Sequence, residues 1–142
     1  MAQATYDDAN MILRLYEMRR EEKMREARVW FITNYKPKAA ADIQKLAPMG
    51  TQENANMRMV ITYWEMVASF ITSGVLNAEL FFASGRELLV VWMRLSPIIA
   101  EMREFNKDPN YFKNLEIVGN QFIDYLNKTS PGAFDVLKAR VG

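Results

Sequence analysis

Apolar side chains recur three and four positions apart along most of this chain, and this spacing is what most constrains its fold. The clearest example is a set at i, i+3, i+4, i+7, i+10 and i+11, namely Val60, Tyr63, Trp64, Val67, Phe70 and Ile71. A helix with 3.6 residues per turn places such positions on one face. No stretch alternates with period two, and no Asn-Gly or Asp-Gly hairpin signal occurs. The pattern therefore predicts an all-α fold.

Capping and breaking residues divide the sequence into four main helices and two or three short ones. The first is predicted as one long helix, Tyr6–Tyr35, which must end before Pro37. A later helix is predicted from a Thr51 cap to a C-terminal Gly74. Pro97 lies inside another helical pattern and predicts a kink or a break there, with Ser96 capping the next helix. The sequence predicts a single helical domain over residues 1–142, arranged as a bundle.

Shorter signals mark further helix starts and one helix contact. Ser84 and Glu87 have the spacing of a capping box, and Asp108 followed by Pro109 has the pattern of another helix start. Gly119 lies within a helical pattern, where glycine is unfavourable, so we expect it to mark a close contact between helices.

Composition excludes much of the chemistry that enzymes commonly use. The chain contains no Cys and no His, which rules out disulfides, thiolate or His-ligated metal sites and Ser-His-Asp triads. We therefore expect no cofactor and no metal. Eighteen basic and 17 acidic residues give a net charge of +1, which argues against nucleic-acid binding.

The same sequence predicts a cytoplasmic protein. The longest uninterrupted apolar run is Leu88–Met93, whereas a membrane-spanning helix needs about 20 residues. The N-terminus is polar and acidic, unlike a signal peptide.

The predicted first helix suggests self-association. At roughly 28 residues it would be about 42 Å long, and a domain of this size is only about 37 Å across. A protruding, partly apolar arm is a common way to form a symmetric dimer. We therefore predict a homodimer that uses the apolar residues at the two ends of this helix, namely Ile12, Leu15, Tyr16, Trp30 and Phe31.

Carboxylates are the main candidates for acid–base chemistry in this composition. Two pairs lie four residues apart on the first helix, and they are interpreted as a solvated helix face: Glu17 with Glu21, and Glu22 with Glu26. Glu65 follows Trp64, and we expect it to form a structural ion pair with Arg94 or Arg103. No catalytic residue is assigned.

Three functions are compatible with these features. The favoured one is a non-catalytic module for self-association and protein interaction. The alternative is a protein that binds a small apolar ligand or lipid, because Met57, Met59 and Met66 cluster and methionine lines adaptable grooves. That function requires a pocket above roughly 300 Å³. A carboxylate-based enzyme is the distant alternative.

A group of short motifs between Tyr63 and Tyr125 resembles a known family. These motifs are Tyr63-Trp64-Glu65, Ser73-Gly74-Val75-Leu76 with Glu79-Leu80, Trp92, Leu95-Ser96-Pro97-Ile98-Ile99, Arg103, and Tyr111-Phe112 followed by Leu115-Glu116. Their order is similar to that in a prokaryotic family of small all-helical proteins, classed as a domain of unknown function. The resemblance implies a helical fold and no particular activity. Some members of that family carry an N-terminal membrane helix, where this chain has a charged amphipathic one.

Overall fold

Helices account for most of the chain. The computed structural model describes residues 3–142, and no strand occurs among them. The α-helices are α1 (Tyr6–Arg20), α2 (Glu22–Asn34), α3 (Ile43–Leu46), α4 (Gln52–Thr72), α5 (Ala78–Phe82), α6 (Arg86–Leu95), α7 (Ile99–Asn106), α8 (Lys113–Thr129) and α9 (Ala133–Val141). A 3-10 turn, Ala40–Asp42, precedes α3. The all-α prediction is confirmed.

Helix α4 lies at the centre and packs against α2, α6 and α8. Both of its predicted end signals are used. The Thr51 hydroxyl accepts a hydrogen bond from the Asn54 amide at 3.2 Å. Beyond the last turn, Gly74 takes a left-handed conformation with φ +86°, and the amides of Val75 and Leu76 both donate to the Phe70 carbonyl. The helix is thus fixed in length by local sequence.

The prediction of one long helix over Tyr6–Tyr35 is wrong, because the segment divides into α1 and α2 at Glu21. The backbone of Glu21 is extended there, with ψ 142°. Its carboxylate accepts hydrogen bonds from the amides of Lys23 and Met24 at 3.1 and 3.0 Å, so it caps α2. These bonds also lower the pKa of Glu21. A continuous rod as long as the whole domain therefore does not exist.

After this break, α1 lies against the body of the protein. The Tyr63 hydroxyl donates to the Leu15 carbonyl at 2.6 Å. At the other end of α1, the Asp8 carboxylate accepts from the Asn77 amide at 2.8 Å. Asp8 also caps α1 by accepting from the Thr5 amide, and these backbone bonds lower its pKa. Both ends of α1 are thus attached to more distant parts of the chain.

Pro97 produces the predicted break, since α6 ends at Leu95 and α7 begins at Ile99. The expected recapping by Ser96 is wrong. The Ser96 hydroxyl donates back to the Met93 carbonyl, and α7 has no side-chain cap.

Two of the predicted helix starts are also wrong. Ser84 and Glu87 form no capping box, because the Glu87 carboxylate instead binds distant side chains. Asp108 accepts from the Asn110 amide in a turn, and α8 starts only at Lys113.

A hydrophobic cluster that extends from Leu15 to Leu126 joins the helices. Within it, α6 and α8 approach closely at Gly119. A Cβ placed on Gly119 would lie 2.4 Å from Cδ1 of Trp92, which is too close for real atoms. The expected close helix contact is therefore confirmed.

Candidate binding cleft

A cleft of about 470 Å³ opens between α3, the first half of α4 and the end of α7. Its apolar lining residues are Ala40, Ile43, Ala47, Met49, Met57, Ile61, Met102, Phe105 and Tyr111. The other lining residues are Gly50 and four polar residues, Gln44, Asn54, Arg58 and Asn106. The cleft therefore combines an apolar interior with a small number of polar groups, as small-molecule sites in proteins do.

One wall of the cleft is the turn that leads into α4, and side-chain hydrogen bonds hold it. The Thr51 hydroxyl donates to the Pro48 carbonyl at 2.6 Å. The Asn54 side-chain amide donates to the Ala47 carbonyl at 3.0 Å. Gly50 has φ +87°, which a residue with a side chain rarely adopts. These interactions fix the position of Met49 at the cleft.

The opposite wall, α7, is tied to the 3-10 turn. The Ala40 amide donates to the Glu101 carboxylate at 3.2 Å. The amides of Lys38 and Ala39 donate to the Asp42 carboxylate, and these bonds lower the pKa of Asp42. The connection from α2 to α3 is therefore anchored at both the turn and α7, which preserves the width of the cleft.

Large apolar side chains are exposed at the mouth of the cleft. Met49 is 88% exposed and Phe105 is 84% exposed, whereas Met57 and Ile61 below them are buried. Single exposed apolar residues are common on protein surfaces. Two of them lining the same cleft, with buried apolar residues beneath, form a continuous apolar path from solvent to the interior.

The polar groups of the cleft are few. Arg58 is exposed, and its Nε donates to Oδ1 of Asn54 at 2.9 Å. Burial raises the pKa of Tyr111, so this residue remains a neutral phenol at physiological pH. None of the described lining residues is a carboxylate.

A smaller cavity of about 250 Å³ lies beneath α1, against Tyr63 and Trp64. Burial raises the pKa of Tyr63 to about 12. Beside the cavity, the Arg19 guanidinium lies 5.2 Å from the centre of the Trp64 ring. The polar atoms beside this cavity already have partners within the protein. The Tyr63 hydroxyl donates to the Leu15 carbonyl, and Trp64 Nε1 donates to Glu87.

Glu87 accepts hydrogen bonds from Trp64 and Arg28 and forms an ion pair with Arg19. Its carboxylate receives two hydrogen bonds from Arg28, at 2.7 and 2.8 Å, and one from Nε1 of Trp64 at 3.3 Å. Nη2 of Arg19 lies 3.9 Å away. The hydrogen bond to Glu87 raises the pKa of Arg28. This cluster, Arg19, Arg28, Trp64 and Glu87, joins α1, α2, α4 and α6 through paired charges.

The five predicted interaction residues divide by exposure. Leu15 and Phe31 are buried in the protein's own core, so the prediction that they lie in an interface is wrong. Ile12 and Trp30 are half-buried against that core. Tyr16 is 52% exposed. The apolar spacing that suggested an interface therefore reflects internal packing for most of this set.

The predicted ion pair of Glu65 with Arg94 or Arg103 does not form between these residues. Glu65 instead accepts hydrogen bonds from the Asn114 side chain and the Leu115 amide, at 2.9 and 2.8 Å. The Leu115 amide is one of the first in α8, where no helical acceptor is available. Glu65 therefore caps α8 from a neighbouring helix.

The two arginines serve other helix ends. Buried Arg94 donates from Nη1 to the carbonyls of Phe31 and Tyr35, at 3.2 and 2.9 Å, and thus caps the end of α2. Burial lowers the pKa of Arg94.

Arg103 contacts the approach to α8. It donates to the Tyr111 carbonyl at 2.9 Å and pairs with Glu116 at 3.2 Å. Hydrogen bonds from Lys113 and Arg103 lower the pKa of Glu116.

Sequence reasoning missed the cleft as a site. It named two lining residues for other reasons, Met57 as part of a methionine cluster and Tyr111 as part of a family motif. A usable signal was Met49, an apolar residue between Pro48 and Gly50 that belongs to no predicted helix face.

Neither a cluster of metal-binding side chains nor a membrane-spanning helix occurs among the described residues. No group of three or more Asp or Glu residues in the described part of the chain is placed to hold a metal ion. Within residues 3–142, no helix is both long enough and apolar enough to cross a membrane.

Comparison with known proteins identifies one family. A family model described as "Domain of unknown function (DUF4760)" matches residues 4–122. No curated protein and no solved structure matches the chain. The match extends through the α3, α4 and α7 segments that form the cleft, and it ends within α8.

Proposed function

The chain belongs to the DUF4760 family, and from this premise we propose that it is a non-catalytic protein that binds a small apolar molecule in the α3/α4/α7 cleft. The observation that carries the proposal is the apolar cleft of about 470 Å³ with Met49 and Phe105 exposed at its mouth. Ligand pockets in proteins have volumes of roughly 300–1,000 Å³. The cleft falls in this range.

The chemistry of the lining supports binding rather than turnover. The described lining residues offer amides, one guanidinium and one phenol, and the phenol is held neutral by burial. Acid–base catalysis needs a group that changes protonation near the working pH. Amides do not ionise, and burial raises the pKa of the Tyr111 phenol further above neutral pH. A cytoplasmic location is part of the same proposal.

The test is binding of an uncharged fluorescent probe, N-phenyl-1-naphthylamine, whose emission rises in an apolar site. We expect saturable binding to the wild-type protein. Phe105→Ser and Met49→Ser should each weaken it about fivefold, because each removes roughly 1 kcal/mol of apolar contact. Since both residues are largely exposed, the free energy of unfolding should change little.

The control is Val75→Ser, because Val75 is an apolar residue that is 58% exposed and lies away from both the cleft and α1. Val75→Ser should bind the probe as the wild type does. Absence of saturable binding, or equal loss in all three variants, contradicts the proposal.

A second candidate function is self-association through α1, which we propose on a different observation. Tyr6, Leu13 and Tyr16 on α1 are 80%, 60% and 52% exposed, and the last two also line the smaller cavity. The exposed charges on α1 favour a second copy as the partner: Asp7 lies in the first turn and Arg20 in the last. Two antiparallel copies would bring each acidic turn beside the partner's basic turn.

Light scattering on protein at tens of micromolar tests self-association. We expect a dimer, and we expect Leu13→Lys to shift it to monomer, because a charge in the centre of an apolar interface is unfavourable. Val75→Lys is the control, since Val75 is 58% exposed and lies outside α1. A wild-type monomer, or a dimer that both variants leave intact, excludes this interface.

A further inference from the structure

We propose that the cleft binds a single-chain amphiphile with an anionic headgroup, and that Arg58 binds this headgroup. The inference rests on the proposed function and specifies the class of ligand. It follows from the charge of the lining, the hydrogen bonds of its polar groups and the arrangement of its apolar residues.

Arg58 is the one charged residue among those that line the cleft. Its Nε donates to Asn54, which holds the side chain in place. Its two terminal nitrogens have no hydrogen bond or carboxylate partner within residues 3–142. By contrast, Arg28 and Arg103 are both paired with glutamates. The terminal nitrogens of a guanidinium match the two oxygens of a carboxylate.

The neighbouring amides of Gln44, Asn54 and Asn106 are neutral, so they cannot offer an anion the charge-assisted hydrogen bonds of a guanidinium. The Asn54 side-chain nitrogen already donates to the Ala47 carbonyl, and that of Asn106 donates to the Met102 carbonyl at 2.8 Å. No carboxylate in the described lining would repel an anion. Arg58 therefore supplies a positive charge within the described lining, and it would bind a negative group through its free donors.

The remaining lining suits an unbranched apolar chain. Ile61 lies one helical turn beyond Arg58 on α4, and both residues line the cleft. Met57 and Met102 extend the apolar surface from α4 to α7. Methionine side chains adapt their shape to flexible ligands. A ligand with its charged end at Arg58 would therefore place its chain against these residues.

The experiment compares decanoate with decan-1-ol, which have the same chain length, as competitors of N-phenyl-1-naphthylamine. At about pH 8 decanoate is ionised. For Arg58→Gln we expect decanoate affinity to fall about tenfold, the size of one lost charge-assisted interaction, with decanol and probe affinities unchanged. Arg58→Lys should retain part of the preference, since it keeps the charge but not the planar donor pair.

Arg14→Gln is the matched control, because Arg14 is also an exposed helical arginine and lies outside the cleft. It should leave decanoate affinity at the wild-type value. If probe and decanol bind but Arg58→Gln leaves decanoate affinity unchanged, the headgroup inference is wrong and the proposed function stands. Equal losses for decanoate and decanol, or an equal loss of decanoate affinity in Arg14→Gln, also overturn it. If neither the probe nor decanol binds, both proposals fail.

Discussion

Replacing Glu87 by leucine is expected to lower the free energy of unfolding by about 3 kcal/mol, because the change leaves a largely buried cation without its partner. The Glu87 side chain is only 10% exposed. It accepts two hydrogen bonds from Arg28 and one from Trp64. All of these donors lose their acceptor at once.

Urea denaturation followed by circular dichroism measures this loss. The double variant Arg28→Met with Glu87→Leu should recover much of it, since replacing both partners of a buried pair by apolar groups is often close to neutral. Glu26→Leu is the control. It lies on the exposed surface of α2, and its effect should stay within about 0.5 kcal/mol.

Two results would contradict this account. If Glu87→Leu is as mild as Glu26→Leu, the cluster contributes little to stability. If the loss in the free energy of unfolding of the double variant equals the sum of the losses in Arg28→Met and Glu87→Leu, the two residues act independently.

The same residue shows where sequence reasoning succeeds and where it ends. The boundaries of α4 were predictable because Thr51 and Gly74 act on backbone groups only a few residues away. Glu87 has the right spacing for a local cap, but its acceptor role is set by Arg28, 59 residues away in sequence. Local spacing carries no information about that distance.

The break at Glu21 was missed for a related reason. The segment from Arg19 to Glu26 contains neither Pro nor Gly, and its charges suit an exposed helix. Glu21 nevertheless ends α1 and caps α2 with its own side chain. After this break, α1 lies against the body of the protein, where the Tyr63 hydroxyl donates to the Leu15 carbonyl.

The candidate cleft could not be derived from the sequence either. One wall comes from α3 and the start of α4, and the other comes from α7, which lies tens of residues later in the chain. Periodicity places Met57 and Ile61 beside the polar stripe of α4, at the edge of its wide apolar arc. It does not show that Met49 and Phe105 stand at the edge of the same opening. Such a space depends on how the helices pack.

Gly119 is the position at which the packing itself can be tested. We expect Gly119→Val to lower the free energy of unfolding by about 3 kcal/mol, the upper part of the usual range for overpacking. A Cβ there would lie 2.4 and 2.6 Å from Cδ1 and Cγ of Trp92, and 3.0 Å from its Cβ. Turning the indole would move Cδ1 and Cγ but not Cβ, so α6 and α8 must still separate slightly and the indole must leave its place in the core.

Denaturation of Asn120→Val provides the control for this change. Asn120 is the next residue in α8 and is exposed, so the variant reports the cost of a branched side chain in the helix without the clash. In a Trp92→Ala background, Gly119→Val should cost at least about 1 kcal/mol less than in the wild type, because alanine lacks Cγ and Cδ1, the two atoms closest to the added Cβ. Equal costs in both backgrounds would mean that the indole does not set the separation of α6 and α8. Glycine at this position would then act only through the helix backbone.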